Sequence, residues 1–144
     1  MNGAEARTIR VSAVVMRDAD GRVLNVRKRG TASLMLPGGK HEPGELAIDT
    51  AVREFGEELG VSLERDALRL IGVFRARAAN EPGHVVEATV FEHPFVAPAG
   101  SARPHAEIEA LEWVDPRDRR SDMAPLNTDV IFPKLMGDTA PRSP

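Results

Sequence analysis

Residues 38–61 read GGKHEPGELAIDTAVREFGEELGV, and the fold turns on how this stretch is wound. Taken as a helix from Glu45 to Leu59 at about 100° per residue, it gathers Ala51, Phe55, Ile48, Leu59 and Val52 on one apolar arc. Glu54, Glu57 and Glu58 fall on the opposite arc. Carboxylates three and four residues apart lie roughly 5–6 Å from one another at Cβ, where like charges oppose helix formation. At ~6 Å and an effective dielectric near 20, each such pair repels by on the order of 3 kcal/mol. A positive partner is therefore expected. Arg53, four residues before Glu57, supplies part of it. A solvated acidic face is the other reading of such a run. The flanks favour a cation seat: Gly38 and Gly39 break the chain before the helix and leave backbone carbonyls free, and Gly60 stops the helix just after the acids. Hard divalent ions such as Mg²⁺ select oxygen donors of this kind.

The stretch resembles the Nudix box, written G-x5-E-x7-R-E-U-x-E-E-x-G-U with U a bulky apolar residue. Gly39, Glu45, Arg53, Glu54, Phe55, Glu57, Glu58, Gly60 and Val61 meet it without gap or substitution. Phe55 is larger than the usual aliphatic residue, and Gly56 costs the helix interior about 1 kcal/mol against Ala. The resemblance implies an α/β protein, an α/β/α sandwich whose mixed β-sheet is flanked by helices. It also implies Mg²⁺-dependent hydrolysis of a nucleoside diphosphate linked to another group, with Mn²⁺ as a possible substitute. By the same resemblance the Gly38 carbonyl, Glu54, Glu57 and Glu58 bind metal, Glu54 and Glu57 carry the catalysis, and Gly39 borders the substrate. Arg53 reads as the partner that fixes a carboxylate rotamer. Glu45, at the helix start, suits the positive end of the dipole and can reach back toward the glycine loop. Relatives add a carboxylate from outside the box, and Glu107 fits that place best, with Glu109 and Glu87 as rivals.

Composition frames the site. The chain has 144 residues, 42% of them hydrophobic, which is enough for one core, so residues 1–144 are expected to form one domain with flexible ends over about 1–6 and 138–144. With no cysteine there is no disulfide framework, thiolate metal site or cysteine nucleophile. No apolar run is long enough to span a bilayer or form a signal-peptide core, so a cytoplasmic protein without a membrane partner is expected. A net charge of −3 argues against a nucleic-acid polymer as partner. The four histidines have no metal-like spacing.

In chain order, Thr8 to Arg17 and Arg22 to Arg29 read as two strands of a hairpin around the turn Asp18-Ala19-Asp20-Gly21. Asn25, Arg27 and Arg29 share one face of the second strand, and Arg27 is the candidate contact to a substrate anion. Leu34 to Leu36, Leu68 to Phe74, Val85 to Phe95 and Ile108 to Val114 are further strands, and Thr128 to Met136 is a helix that Pro133 would kink or split. Asn127 resembles in position the asparagine with which MutT-like members read a purine edge, and it also suits a helix start. Trp113, Phe74, Phe91 and Phe95 can stack on a base or fill the core.

The expected substrate is a small nucleotide, a nucleoside triphosphate with oxidised purine forms included, cleaved to the monophosphate and pyrophosphate. A nucleotide-sugar or ADP-ribose pyrophosphatase is the alternative, although no Pro lies between Val61 and Asn80, where the resemblance places a marker of ADP-ribose members. A non-catalytic nucleotide-sensing module is the rival of another class, and the resemblance allows a homodimer.

Overall fold

In the computed structural model, which describes residues 7–139, strand β1 (Arg7–Val15) lies at the centre. Its alternation decides the layering. Ala13 and Val15 face one apolar cluster with Val90, Ile131, Phe132 and Leu135. Val14 and the following Met16 face the other, with Ala51, Phe55 and Leu59. A strand buried on both faces needs cover on both, which is why it reads as a nearly continuous apolar run. The cover is helix α1 (Ala47–Leu59) on one side and the C-terminal helix on the other, giving the expected α/β/α sandwich.

The sheet is mixed. Strand β3 (Gly38–Lys40) pairs antiparallel with β1, and β5 (His84–Glu92) runs parallel to β1 on its other side. Strand β4 (Arg69–Arg77) forms the edge beyond β5. A second, two-stranded sheet pairs β2 (Val23–Lys28) with β6 (Ile108–Val114).

This corrects the hairpin expectation. The turn is present, with Asp18 Oδ1 accepting the amides of Asp20 and Arg22, but the strands part after a bridge between Arg17 and Val23. β1 is claimed by β3 and β5 in the larger sheet, and β2 by β6. Leu34 and Met35 form isolated bridges rather than a strand, and the glycines read as a chain break are themselves strand β3.

Helix α1 starts at Ala47, two residues later than the apolar pattern suggested, and ends at Gly60, whose φ of 68° is the left-handed conformation that glycine adopts without strain. Phe55 is fully buried under it, a side chain whose burial contributes about 1.5–3 kcal/mol. A short helix α2 (Ala97–Gly100) occupies part of the proline-rich stretch that contains Pro94, Pro98 and Pro104. The last helix begins earlier than expected, as a π turn (Leu126–Ile131) in which Phe132 N–H bonds the Asn127 carbonyl, and continues as α3 (Phe132–Thr139). Pro133, which has no amide proton, is the second residue of α3, one position beyond that wide turn. The expectation of flexible ends lies outside the described residues except at 138 and 139, which close α3. No described helix is long and apolar enough to cross a membrane.

Candidate active site

The site is assembled where β3 passes the acidic face of α1. Position 58 lies at the edge of the apolar arc beside Ala51, so Glu58 is buried rather than displayed with its neighbours. The amide of Gly38 donates to Glu58 Oε1 at 3.0 Å. Burial pushes the Glu58 carboxyl up to about 8, and the nearby charges of Glu54 and Glu107 add to the rise, while the Gly38 amide and the Lys28 charge oppose it. Glu54 is raised as well, first by burial. Glu57 is the open member of the set, about half exposed.

Arg53 answers the expected need for positive charge. Its Nη1 donates to Glu54 Oε2 at 2.9 Å and to Glu57 Oε1 at 3.4 Å, and its Nη2 reaches the Lys40 carbonyl at 3.2 Å. Its other edge meets Glu45 with two bonds of 2.8 and 2.9 Å. Glu45 also accepts from the Thr50 hydroxyl at 2.7 Å and the Glu42 amide at 3.0 Å, and these donors, Arg53 foremost, hold its carboxyl down at about 2. One guanidinium thus ties the loop, the helix start and two acids together.

Gly39 is what lets Glu54 come so close to the loop. A Cβ built there would stand 2.7 Å from both Glu54 carboxylate oxygens, so any side chain would evict the acid. Gly38 is more tightly confined, because a Cβ there would overlap the Ser12 backbone carbonyl.

These residues border a cleft of about 140 Å³ lined by Lys28, Gly38, Gly39, Lys40, Arg77 and Asn127, with Ile9, Val11, Met35 and Leu126 among its apolar walls. Arg27 is engaged elsewhere: its Nη1 bonds Glu109 Oε1 at 3.0 Å and the Thr31 carbonyl at 3.1 Å. Lys28 is the strand residue at the cleft, and it was missed because plain alternation groups it with Leu24 and Val26. A register shift between Arg27 and Lys28 breaks that alternation, and such irregularities re-aim side chains. A bulge leaves little mark in one sequence. None of Trp113, Phe74, Phe91 and Phe95 is among the cleft-lining residues, and Phe95 instead stacks against Trp113 with ring centroids 5.8 Å apart.

Asn127 is fully buried inside the π turn rather than capping a helix. Its Nδ2 donates to Asn25 Oδ1 at 2.7 Å, and its Oδ1 has no hydrogen-bond partner. Glu107 is brought within electrostatic range of Glu58, and its carbonyl accepts from Arg29 N–H at 2.7 Å. Glu109 and Glu87 are taken up by Arg27 and by Arg10.

The donor set suits a hard divalent cation: carboxylates of two buried or half-buried glutamates, one exposed glutamate and a glycine backbone. Among the described residues no three acidic or imidazole groups stand together closely enough to hold a metal ion as they are; Arg53 bonds Glu54 and Glu57, and the Gly38 amide bonds Glu58. A cation held by these carboxylates would add to the counter-charge that the Arg53 guanidinium and the Gly38 amide already supply.

Known proteins resemble this chain in sequence and in fold. A model of the NUDIX domain matches residues 6–134. A MutT-like protein of Streptomyces ambofaciens is 31% identical over 131 residues, spanning 90% of this chain and 78% of that protein. A MutT protein from Methanosarcina mazei Go1 superposes with a TM-score of 0.76 at 20% identity, over 95% of this chain and 99% of that one. A bifunctional NMN adenylyltransferase/ADP ribose pyrophosphatase from Francisella tularensis, solved with AMP and a Mn ion, superposes with a TM-score of 0.68 at 16% identity, over 92% of this chain and 42% of that one. At those identities the two structures share its fold.

Proposed function

Because the chain belongs to the NUDIX family, we propose that it is a Mg²⁺-dependent pyrophosphohydrolase that cleaves a nucleoside triphosphate, adding water across the phosphoanhydride to give the monophosphate and pyrophosphate. The observation that carries this reading is the joining of two features in one cleft: the glycine strand against which Glu54 and Glu58 are packed, and a wall bearing Lys28, Lys40 and Arg77. A polyphosphate needs cations on several sides, and these three supply them from three different strands or their ends.

Glu54, Glu57, Glu58 and the Gly38 carbonyl would hold the metal, with Glu107 the acid nearest to joining them. When bound, a divalent cation there would screen the phosphate charge and acidify an attacking water. The chain's own residues do the rest. Arg53 keeps Glu54 and Glu57 oriented through a guanidinium anchored on Glu45. Glu54, its pKa raised by burial, takes the proton of the water in this reading. Gly39 lets the anion approach the backbone, Lys28, which lines the cleft as Arg27 does not, meets the phosphates, and Asn127 contacts the base with its free acceptor.

A panel of nucleoside triphosphates and nucleotide sugars with Mg²⁺ tests the proposal. Release of pyrophosphate from one or more triphosphates is expected, and Glu57→Gln should lower that rate by several orders of magnitude while the far-ultraviolet circular dichroism stays unchanged. Turnover confined to nucleotide sugars or ADP-ribose would move the substrate class, and tight binding without turnover would mark a sensor.

A further inference from the structure

Asn25 in β2 and Asn127 in the π turn, 102 residues apart, meet as two fully buried amides. Their hydrogen bonds have a direction that can be read from one end. Asn25 Nδ2 donates to the Val23 carbonyl at 3.1 Å, and a carbonyl can only accept. The Asn25 amide is thereby set with its nitrogen toward Val23 and its oxygen toward Asn127. Facing an acceptor, Asn127 must turn its own nitrogen inward, at 2.7 Å from Asn25 Oδ1. What remains is Asn127 Oδ1, buried, without a partner, on a residue that lines the cleft beside Lys28, Gly38 and Gly39.

We infer that Asn25 is a positioning residue for base selection: it locks the sense of the Asn127 amide so that the cleft offers an acceptor and favours bases that present an N–H at that edge. This rests on reading the cleft as a nucleotide site. A buried acceptor left unpaired is costly, so a ligand able to donate to it gains affinity over a near-isostere that cannot. Met35 and Leu126 are among the apolar residues that line the same cleft.

The experiment uses two pairs of triphosphates that differ mainly in one donor: 8-oxo-dGTP, with N7–H, against dGTP, and ATP, with its 6-amino group, against the triphosphate of purine riboside. Affinities are measured by calorimetry with Mg²⁺ in a Glu57→Gln background, so that turnover does not enter. The donor-bearing member of at least one pair should bind tenfold or more tightly. Adding Asn25→Leu, which frees the Asn127 amide to rotate, should bring that ratio to within about threefold. Asn25→Thr, whose hydroxyl can donate or accept, is the second variant should Leu disturb folding, and it should also lower the ratio. A merely structural Asn25 would weaken both members of a pair alike. An unchanged ratio in a folded variant, or equal affinities within both pairs for the parent protein, would overturn the inference. Hydrolysis is read separately with the parent enzyme: a clear binding ratio without pyrophosphate release upholds the role of Asn25 while the proposed activity fails.

Discussion

Arg53 and Glu45 form a two-bonded pair across eight residues of sequence, Nε to Oε2 at 2.8 Å and Nη2 to Oε1 at 2.9 Å. Both edges of the guanidinium are in use, since Nη1 also serves Glu54 and Glu57. A planar fork is needed for this, and an ammonium cannot reproduce it. Arg53→Lys is therefore expected to lower kcat by about 10- to 100-fold, the usual scale for losing an orienting partner of a metal-binding side chain. The protein should remain folded, and the apparent Mg²⁺ requirement should rise. A variant with parental kcat and metal requirement would show that the pair does not orient the acids.

The two glycines of β3 should respond differently to the same added methyl. At Gly39 the obstacle is the end of a flexible side chain, Glu54, which can swing away. Gly39→Ala should therefore cost roughly 1 kcal/mol of stability or less and most of the activity. At Gly38 the obstacle is the Ser12 backbone in the central strand. Gly38→Ala should lower the thermal midpoint by many degrees, as overpacking of a rigid site by about 1–3 kcal/mol or more does. Thermal melts and initial rates on both variants check the contrast.

Glu58 makes the metal-free protein sensitive to pH. Its carboxyl titrates at about 8 in the folded protein against an ordinary 4.5, so the folded state holds the proton more tightly. Stability from this group is complete below about pH 4.5 and is lost as pH rises toward 8, by a few kcal/mol in all. Glu54, raised in the same direction, adds to the slope. In the presence of a chelator the thermal midpoint should fall across that window, and Glu58→Gln should flatten the fall. Mg²⁺ should stabilise most at the upper end, where the acid has lost its proton. A midpoint that climbs steadily from pH 5 to 8 without metal would contradict this assignment.

Gly56 lies inside α1 with open space around it, and an added Cβ would meet only the Val61 carbonyl, at 3.8 Å. Gly56→Ala should stabilise the protein by up to about 1 kcal/mol, raising the midpoint by a few degrees without changing the rate. A lower midpoint would mean that the helix here needs the freedom of glycine.

The acidic helix was legible because its chemistry is local: apolar and acidic residues at a 3.6-residue period, bounded by glycines, specify winding and ends together. The layering was legible for the same reason, since β1 and α1 each announce two faces. Strand partners were not. The Asp18 turn is correctly formed, yet which strand β1 chooses depends on β5, more than sixty residues away, and local pattern carries no trace of that. The acidic arc was drawn one residue too wide: at 100° per residue Glu58 falls about 20° from Ala51, at the edge of the apolar arc, although the wheel does not show that the Gly38 amide meets it there. Lys28 was hidden by a bulge, and Asn25 by its resemblance to an ordinary strand residue whose partner lies on a different helix.

The π turn at Leu126–Ile131 holds one residue more than a regular helical winding would. Deleting a single residue from it would let the segment coil as an ordinary α-helix and swing Asn127 by about 100° around the axis, off the Asn25 amide. With the role proposed above for Asn127, the loss of one codon would make a homologue indifferent to the base it receives.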